Sequence, residues 1–316
     1  FAIGFLMKKI ISEHELRELS MHSENDPLVP SHRMAAIERV VLVSCTLKDE
    51  TAALYLIRLL QMLESDLKEL FIVDTCAHRL AGSAFLELLN GLPLIKNLER
   101  LAIDNADLSG WKIGLLFQNL LQQSSNLLEL RLVDCEIDEG MLDLFLEGLQ
   151  RRSLGLRHLD LEGWDLDDTG LEQVVDAILM SNTRNTLQCL DISRVCNLSS
   201  HSLHTLADLL REVITLEELV YISCDSLFDG VTLESPSFQD FLDQIRSHKS
   251  LKELRIDDSF DDDSMTSVVI AASQDSSLQA LGISPKKLER ETNNIPSGSS
   301  NMFSSSPLNC LLSVTA

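Results

Sequence analysis

Apolar residues return along this chain at fixed offsets. From a leucine or isoleucine anchor, the next apolar positions stand 3, 5, 8 and 10 residues ahead. Leu98 is followed in this way by Leu101, Ile103, Ala106 and Leu108. Leu127 is followed by Leu130, Leu132, Cys135 and Ile137, and Leu156 by Leu159, Leu161, Trp164 and Leu166. Ile37 opens the series, and Leu67, Leu187, Leu216, Leu251 and Leu278 carry it on, several with the last position slipped or lost. Successive anchors are 30, 31, 29, 29, 31, 29, 35 and 27 residues apart. Self-similarity at one such period signals a repeat architecture.

Within each unit the apolar residues at offsets 3 and 5 alternate with variable ones, a period of 2 that predicts a short strand. The next apolar pair turns the chain inward. Asp49, Ser109, Asp138 and Asp167 then stand where helix N-caps are expected. A helical stripe follows, as in Leu142/Phe145/Leu146/Leu149, Leu171/Val174/Val175/Ile178 and Leu203/Leu206/Leu210/Val213. Polar or turn-forming residues close most units just before the next anchor: Asp66, Asn97, Asn126, Gly155, Thr186, Thr215, Ser250 and Ser277. One strand and one helix cannot bury their apolar faces alone, whereas stacked units can.

The pattern resembles the leucine-rich repeat, and its long period is similar to that of the ribonuclease-inhibitor-like class. The resemblance implies an α/β fold: a leucine-rich repeat solenoid, or horseshoe, of about 8–10 repeats of 27–35 residues. Its parallel β-sheet would be concave and its α-helices convex. Three segments are expected: 1–36, a degenerate or truncated N-terminal repeat; 37–284, the solenoid; and 285–316, a flexible tail rich in Ser, Asn and Pro. In the first, Phe5 to Ile11 reads as the end of a helix and Leu16, Leu19 and Met21 as a degenerate strand. A chain opening on Phe1 is expected to be a piece of a longer one. The 35-residue unit carries an insertion near Gly230–Ser237, expected to be a loop, and Leu308 to Val314 in the tail reads as a docking motif or a remnant.

Charge narrows the partners. There are 26 Lys+Arg against 49 Asp+Glu, a formal net of −23. A nucleic-acid surface needs cations to displace phosphate counterions, and an anionic membrane needs them too, so neither is an expected partner. No apolar run approaches the ~18–20 residues of a membrane helix. The seven cysteines form no CxxC pair and no metal-spaced Cys/His cluster. They read as free thiols in a reducing, cytoplasmic compartment. Cys45, Cys135 and Cys224 share offset 8 and read as inward packing residues, as does Trp164, while Trp111 is assigned to the repeat frame.

Chemistry is not visible. The chain has no P-loop, GxGxxG, HExxH or G-x-S-x-G motif. The run Asp257–Asp263 lacks the spacing of a calcium loop and reads as a solvated turn before a helix. No enzyme activity, metal or cofactor is therefore expected.

The informative surface is the sheet face opposite the helices, to which offsets 2, 4 and 6 point. Val41, Val43, Phe71 and Val73 should form an apolar patch there. Asp104, Asp160, Glu162 and Asp191 should form an acidic strip in neighbouring rows, with Arg131 among them. An apolar patch beside a charged strip suits protein recognition. The expected function is a non-catalytic protein–protein interaction scaffold that takes a protein partner on its concave face, where negative charge would steer a basic one. The alternatives are a small-GTPase regulator, which the chain resembles through the Ran GTPase-activating family, and the recognition arm of a larger enzyme or receptor.

Overall fold

A computed structural model describes residues 5–7, 37–43, 50–63, 66–74, 81–194, 200–221, 235–257, 262–274, 277–284 and 310–313. Between Arg39 and Ser284 strands and helices alternate. The strands are β1 (Phe5–Met7), β2 (Arg39–Val43), β3 (Glu69–Val73), β4 (Arg100–Asp104), β5 (Glu129–Val133) and β6 (His158–Asp160). They continue with β7 (Cys189–Asp191), β8 (Glu218–Tyr221), β9 (Glu253–Asp257), β10 (Ala280–Ser284) and β11 (Cys310–Ser313). The helices are α1 (Glu50–Met62), α2 (Ser83–Gly91), α3 (Trp111–Gln123), α4 (Glu139–Gln150), α5 (Asp168–Met180), α6 (Ser200–Glu212), α7 (Pro236–Ser247) and α8 (Asp262–Ser273). All the strands lie in one open sheet in chain order.

From β2 to β10 the pairing is parallel, and the register follows the repeat offsets. Val40, Leu70, Leu101, Leu130, Leu159, Leu190, Leu219, Leu254 and Leu281 stand opposite one another across nine strands. A one-residue slip anywhere would turn a leucine to the wrong face. The apolar residues of strands and helices form one continuous buried cluster from Val40 to Leu281. This is the architecture of a leucine-rich repeat solenoid.

The flanking strands differ from expectation. Phe5–Met7, read as the end of a helix, is instead a strand parallel to β2. The edge of β2 offers unpaired backbone groups that a strand satisfies and a helix cannot. Cys310–Ser313, inside the segment read as a tail, pairs antiparallel with β10. The expected degenerate strand at 16–21, Asp49, Cys45, Cys224, residues 230–234 of the expected loop and 258–261 of the Asp-rich run lie outside the described residues. Pro236 and Ser237 of that loop open α7, and Asp262 and Asp263 of the run open α8. No helix among the described residues is long and apolar enough to cross a membrane.

Polar residues set the spacing between units. Asp138 and Asp167 cap α4 and α5, accepting from the backbone N–H of Met141 and Gly170 at 2.8 Å each. Ser109 does not cap α3: Gly110, at φ 101°, takes that position. The Ser109 hydroxyl and N–H are instead held by Asp107 Oδ1. The unit-closing residues bind backward, Thr186 to the Leu156 carbonyl (2.7 Å), Thr215 to Leu187 (2.8 Å) and Ser277 to Leu251 (2.7 Å). Each donates to the anchor carbonyl of the unit that it closes, a group that burial would otherwise leave unpaired. Arg152, almost wholly buried, donates to the carbonyls of Leu121 (3.0 Å) and Leu127. Burial lowers its pKa to about 10.

One backbone device recurs at the end of the strands. Asn105, Asp134, Gly163 and Arg194, each seven residues past its anchor, have φ of 58°, 55°, 80° and 59°. This left-handed step turns the chain so that the next residue points into the core, where Ala106, Cys135 and Trp164 are buried. Trp164 Nε1 donates to the Leu132 carbonyl at 2.8 Å, and Cys135 Sγ lies 3.5 Å from the Ile103 carbonyl. Trp111 departs from expectation: it is 61% exposed at the start of α3 and is not part of the packed frame.

Candidate functional site

The face of the sheet opposite the helices carries three rows of side chains. The first row reads Arg39, Glu69, Arg100, Glu129, His158, Cys189, Glu218 and Glu253. Its opening four residues alternate in sign and bridge strand to strand: Arg39 with Glu69, Arg100 with Glu69 at 3.2 Å, and Arg100 with Glu129 at 2.9 Å. The repeat register makes such a ladder possible, since residues one period apart become cross-strand neighbours.

The four apolar residues stand together. Val41 is opposite Phe71 and Val43 opposite Val73. They are half-buried rather than openly exposed, and the Arg39 guanidinium sits 5.5 Å from the Phe71 ring centroid. A cation over an aromatic face covers part of the apolar surface while leaving it recognisable.

The charged residues also converge. Arg131 Nε reaches Asp160 Oδ2 at 2.8 Å. The Asp160 side chain is only 5% exposed, and its Oδ1 accepts the Glu162 N–H at 3.1 Å. Asp160 therefore closes a local turn as well as facing the row. Asp191 repeats the device, Oδ1 accepting from the Ser193 N–H (2.9 Å) and hydroxyl (2.6 Å). These turns explain why β6 and β7 are the shortest strands between β2 and β10, ending at the aspartates themselves.

Asp104 and Glu162 complete the strip, and their environment is unfavourable to charge. Burial raises the Asp104 pKa, repulsion from Asp160 adds to it, and Arg131 opposes the rise. Oδ1 of Asp104 is buried without a hydrogen-bond partner. Burial also raises Glu162, with Asp191, Asp160 and Asp104 pushing the same way. Asp191 is raised by burial against the pull of its Ser193 bonds. Arg194 lies 3.5 Å from Glu162 at the rim but also binds Asp134.

Two kinds of chemistry can be weighed here. Carboxylate oxygens of Asp160, Glu162 and Asp191 lie within 4.8 Å of one another, an all-oxygen set of the kind hard cations take. Arg131 already supplies positive charge at its centre. Cys189, in the adjacent row, is pushed far up by burial, with Glu218, Asp191 and Asp160 adding to the shift, so its thiol stays protonated and unreactive. The strip thus gathers the carboxyl groups of Asp104, Asp160, Glu162 and Asp191 around the guanidinium of Arg131, with Arg194 at its rim.

No protein-family model matches the chain, and no curated protein matches it. Among solved structures, it is similar to a chain of the Rad7 and Elc1 complex in yeast. The identity is 14% and the TM-score 0.33, over 70% of this chain and 63% of that one. The match thus spans less than two thirds of the neighbour's length. At that identity and TM-score the likeness adds nothing to the architecture read from the strands.

Proposed function

We propose that this solenoid is a protein–protein interaction scaffold and that its partner docks on the helix-free face of the sheet. The carrying observation is the negative charge of the central strip, which Arg131 and Arg194 offset only in part. Asp104, Glu162 and Asp191 are all held above their ordinary pKa by burial, and Asp104 Oδ1 has no partner. A lysine or arginine brought to this strip relieves that penalty, so charge complementarity favours a basic partner. Val41, Val43, Phe71 and Val73 supply the apolar half of the same surface, and within the acidic half Arg131 orients Asp160. The unit length of about thirty residues favours the ribonuclease-inhibitor-like class. The free thiol at Cys189 suits a reducing, cytoplasmic setting.

The test is affinity capture from cell extract with the native chain and a Val73→Asp/Glu162→Lys variant of matched thermal midpoint. Asp160 is left untouched because it holds a turn. Proteins retained by the native chain, released by the variant and eluted by added salt support the reading. Identical proteins on both columns would rule out the helix-free face.

A further inference from the structure

The carboxyl groups of the sheet face stand close enough to govern one another's charge. Carboxylate oxygens of Asp160, Glu162 and Asp191 lie within 4.8 Å of one another. Asp104, on β4, is near enough for Asp160 to repel it and for Arg131 to attract it. Arg131 donates its Nε–H to Asp160 at 2.8 Å, while Asp104 Oδ1 is shut off from water with no hydrogen-bond partner. Negative charges gathered this closely, and partly out of water, take up protons more readily than separate carboxylates do.

The other groups on the face leave that balance in place. Arg255 serves the neighbouring row, at 2.6 Å from Glu253 and 3.7 Å from Glu218, although its charge also reaches Asp191. Glu218 adds to the repulsion at Asp191. Arg194 is shared between Glu162 and Asp134, and Arg100 holds Glu129 at 2.9 Å. Cys189, pushed far up chiefly by burial, stays uncharged. His158 stands beside Cys189 in the first row, where an imidazole that takes a proton would also repel a cation.

A partner's lysine or arginine holds the carboxyl groups in their ionised form, and a proton on any of them weakens its grip. We propose that the strip is a proton-linked contact, at which a basic partner and protons compete for Asp104, Glu162 and Asp191. Docking then releases protons, and acidification releases the partner, a linkage that rests on a basic partner docking at this face. Burial raises all three groups above the ordinary carboxyl range of about 4, and repulsion within the strip adds to it. The charge that favours docking is therefore complete above the raised values and is lost as pH falls through them, while ordinary surface carboxylates are still ionised.

The experiment is calorimetric titration of the full chain with a short synthetic oligolysine, in two buffers of different ionisation enthalpy, from about pH 7.5 down to about pH 5.5. Lysine, with a pKa near 10.4, keeps its charge throughout, so protons that appear come from the protein. Proton release that grows on acidification is expected, one proton per peptide corresponding to about a tenfold loss of affinity per pH unit. Asp104→Asn and Glu162→Gln should each weaken binding, reduce the release and flatten the pH dependence. His158→Gln and Asp143→Asn, the latter at an exposed position of α4, should keep the release, and circular dichroism checks that all four variants fold. Binding that the carboxyl variants weaken but that releases no protons overturns the linkage and leaves the docking reading intact. Release lost in His158→Gln alone overturns its assignment to the carboxyl groups. Binding that the carboxyl variants do not weaken, or no binding at about pH 7.5, removes the docking reading and the linkage together.

Discussion

The guanidinium of Arg194 reaches back over Gly163 to the carboxylate of Asp134, two repeats away. The bridge exists because Gly163 has no side chain: a Cβ there would stand 2.5 Å from Asp134 Oδ1, 2.8 Å from the Arg194 guanidinium and 3.2 Å from Asp134 Cα. Three successive left-handed turns are thereby stitched along one ridge.

Gly163→Ala combines a positive φ with that crowding. It should destabilise the chain by roughly 1–3 kcal/mol, read from the urea midpoint. Arg194→Ala removes only a half-exposed ion pair and should change stability by less than about 1 kcal/mol. Equal losses in both would show that the bridge, not the backbone, sets the turn.

Leu159 and Leu161 are fully buried in the central repeat, where neighbouring units on both sides limit collapse into a cavity. Leu159→Ala and Leu161→Ala should each cost ~2–5 kcal/mol. Denaturation showing a change below about 1 kcal/mol would contradict the register.

Asp104 should weaken the fold at neutral pH. Its folded pKa is raised, chiefly by burial, so the native state holds its proton to higher pH than the unfolded chain does. Stability from this group is therefore present below the unfolded carboxyl pKa and lost as pH rises through the folded one. Asp104→Asn should melt higher than the native chain at pH 7, with the difference shrinking toward about pH 4. A difference independent of pH would remove the electrostatic account.

His248 titrates with the opposite sign. Burial lowers its pKa, with the Val213 carbonyl contact opposing the shift. Nδ1 accepts from the backbone N–H of Leu251 at 3.0 Å and of Ser250 at 3.3 Å, so the folded ring must stay neutral there. The unfolded chain takes the proton first, and stability should fall as pH drops below about 6.5. His248→Asn should be less stable at pH 7.5 yet show a flatter decline on the acid side, measured by denaturation at several pH values.

The spine of the fold was legible because period and register are the same fact in a repeat. Leu130 and Leu159, 29 residues apart in sequence, could only be neighbours on adjacent strands. The same rule named the sheet-face residues from Val41 to Asp191. What it could not supply was the local work of Asp160 and Asp191, whose carboxylates turn back on the chain two residues later. Ser109 was mistaken for a cap because Gly110 serves through its backbone conformation, which no side-chain preference reveals.

The direction of β11 bears on growth. A stack of parallel units ends in an edge of the same kind that every internal unit presents, and such an edge can receive the first unit of another copy, head to tail, without limit. Cys310–Ser313 runs the other way along β10 and occupies the hydrogen-bonding groups that such a copy would need. A copy arriving end-on would meet the outer edge of β11, four residues of reversed direction, in place of the parallel edge that the internal units share.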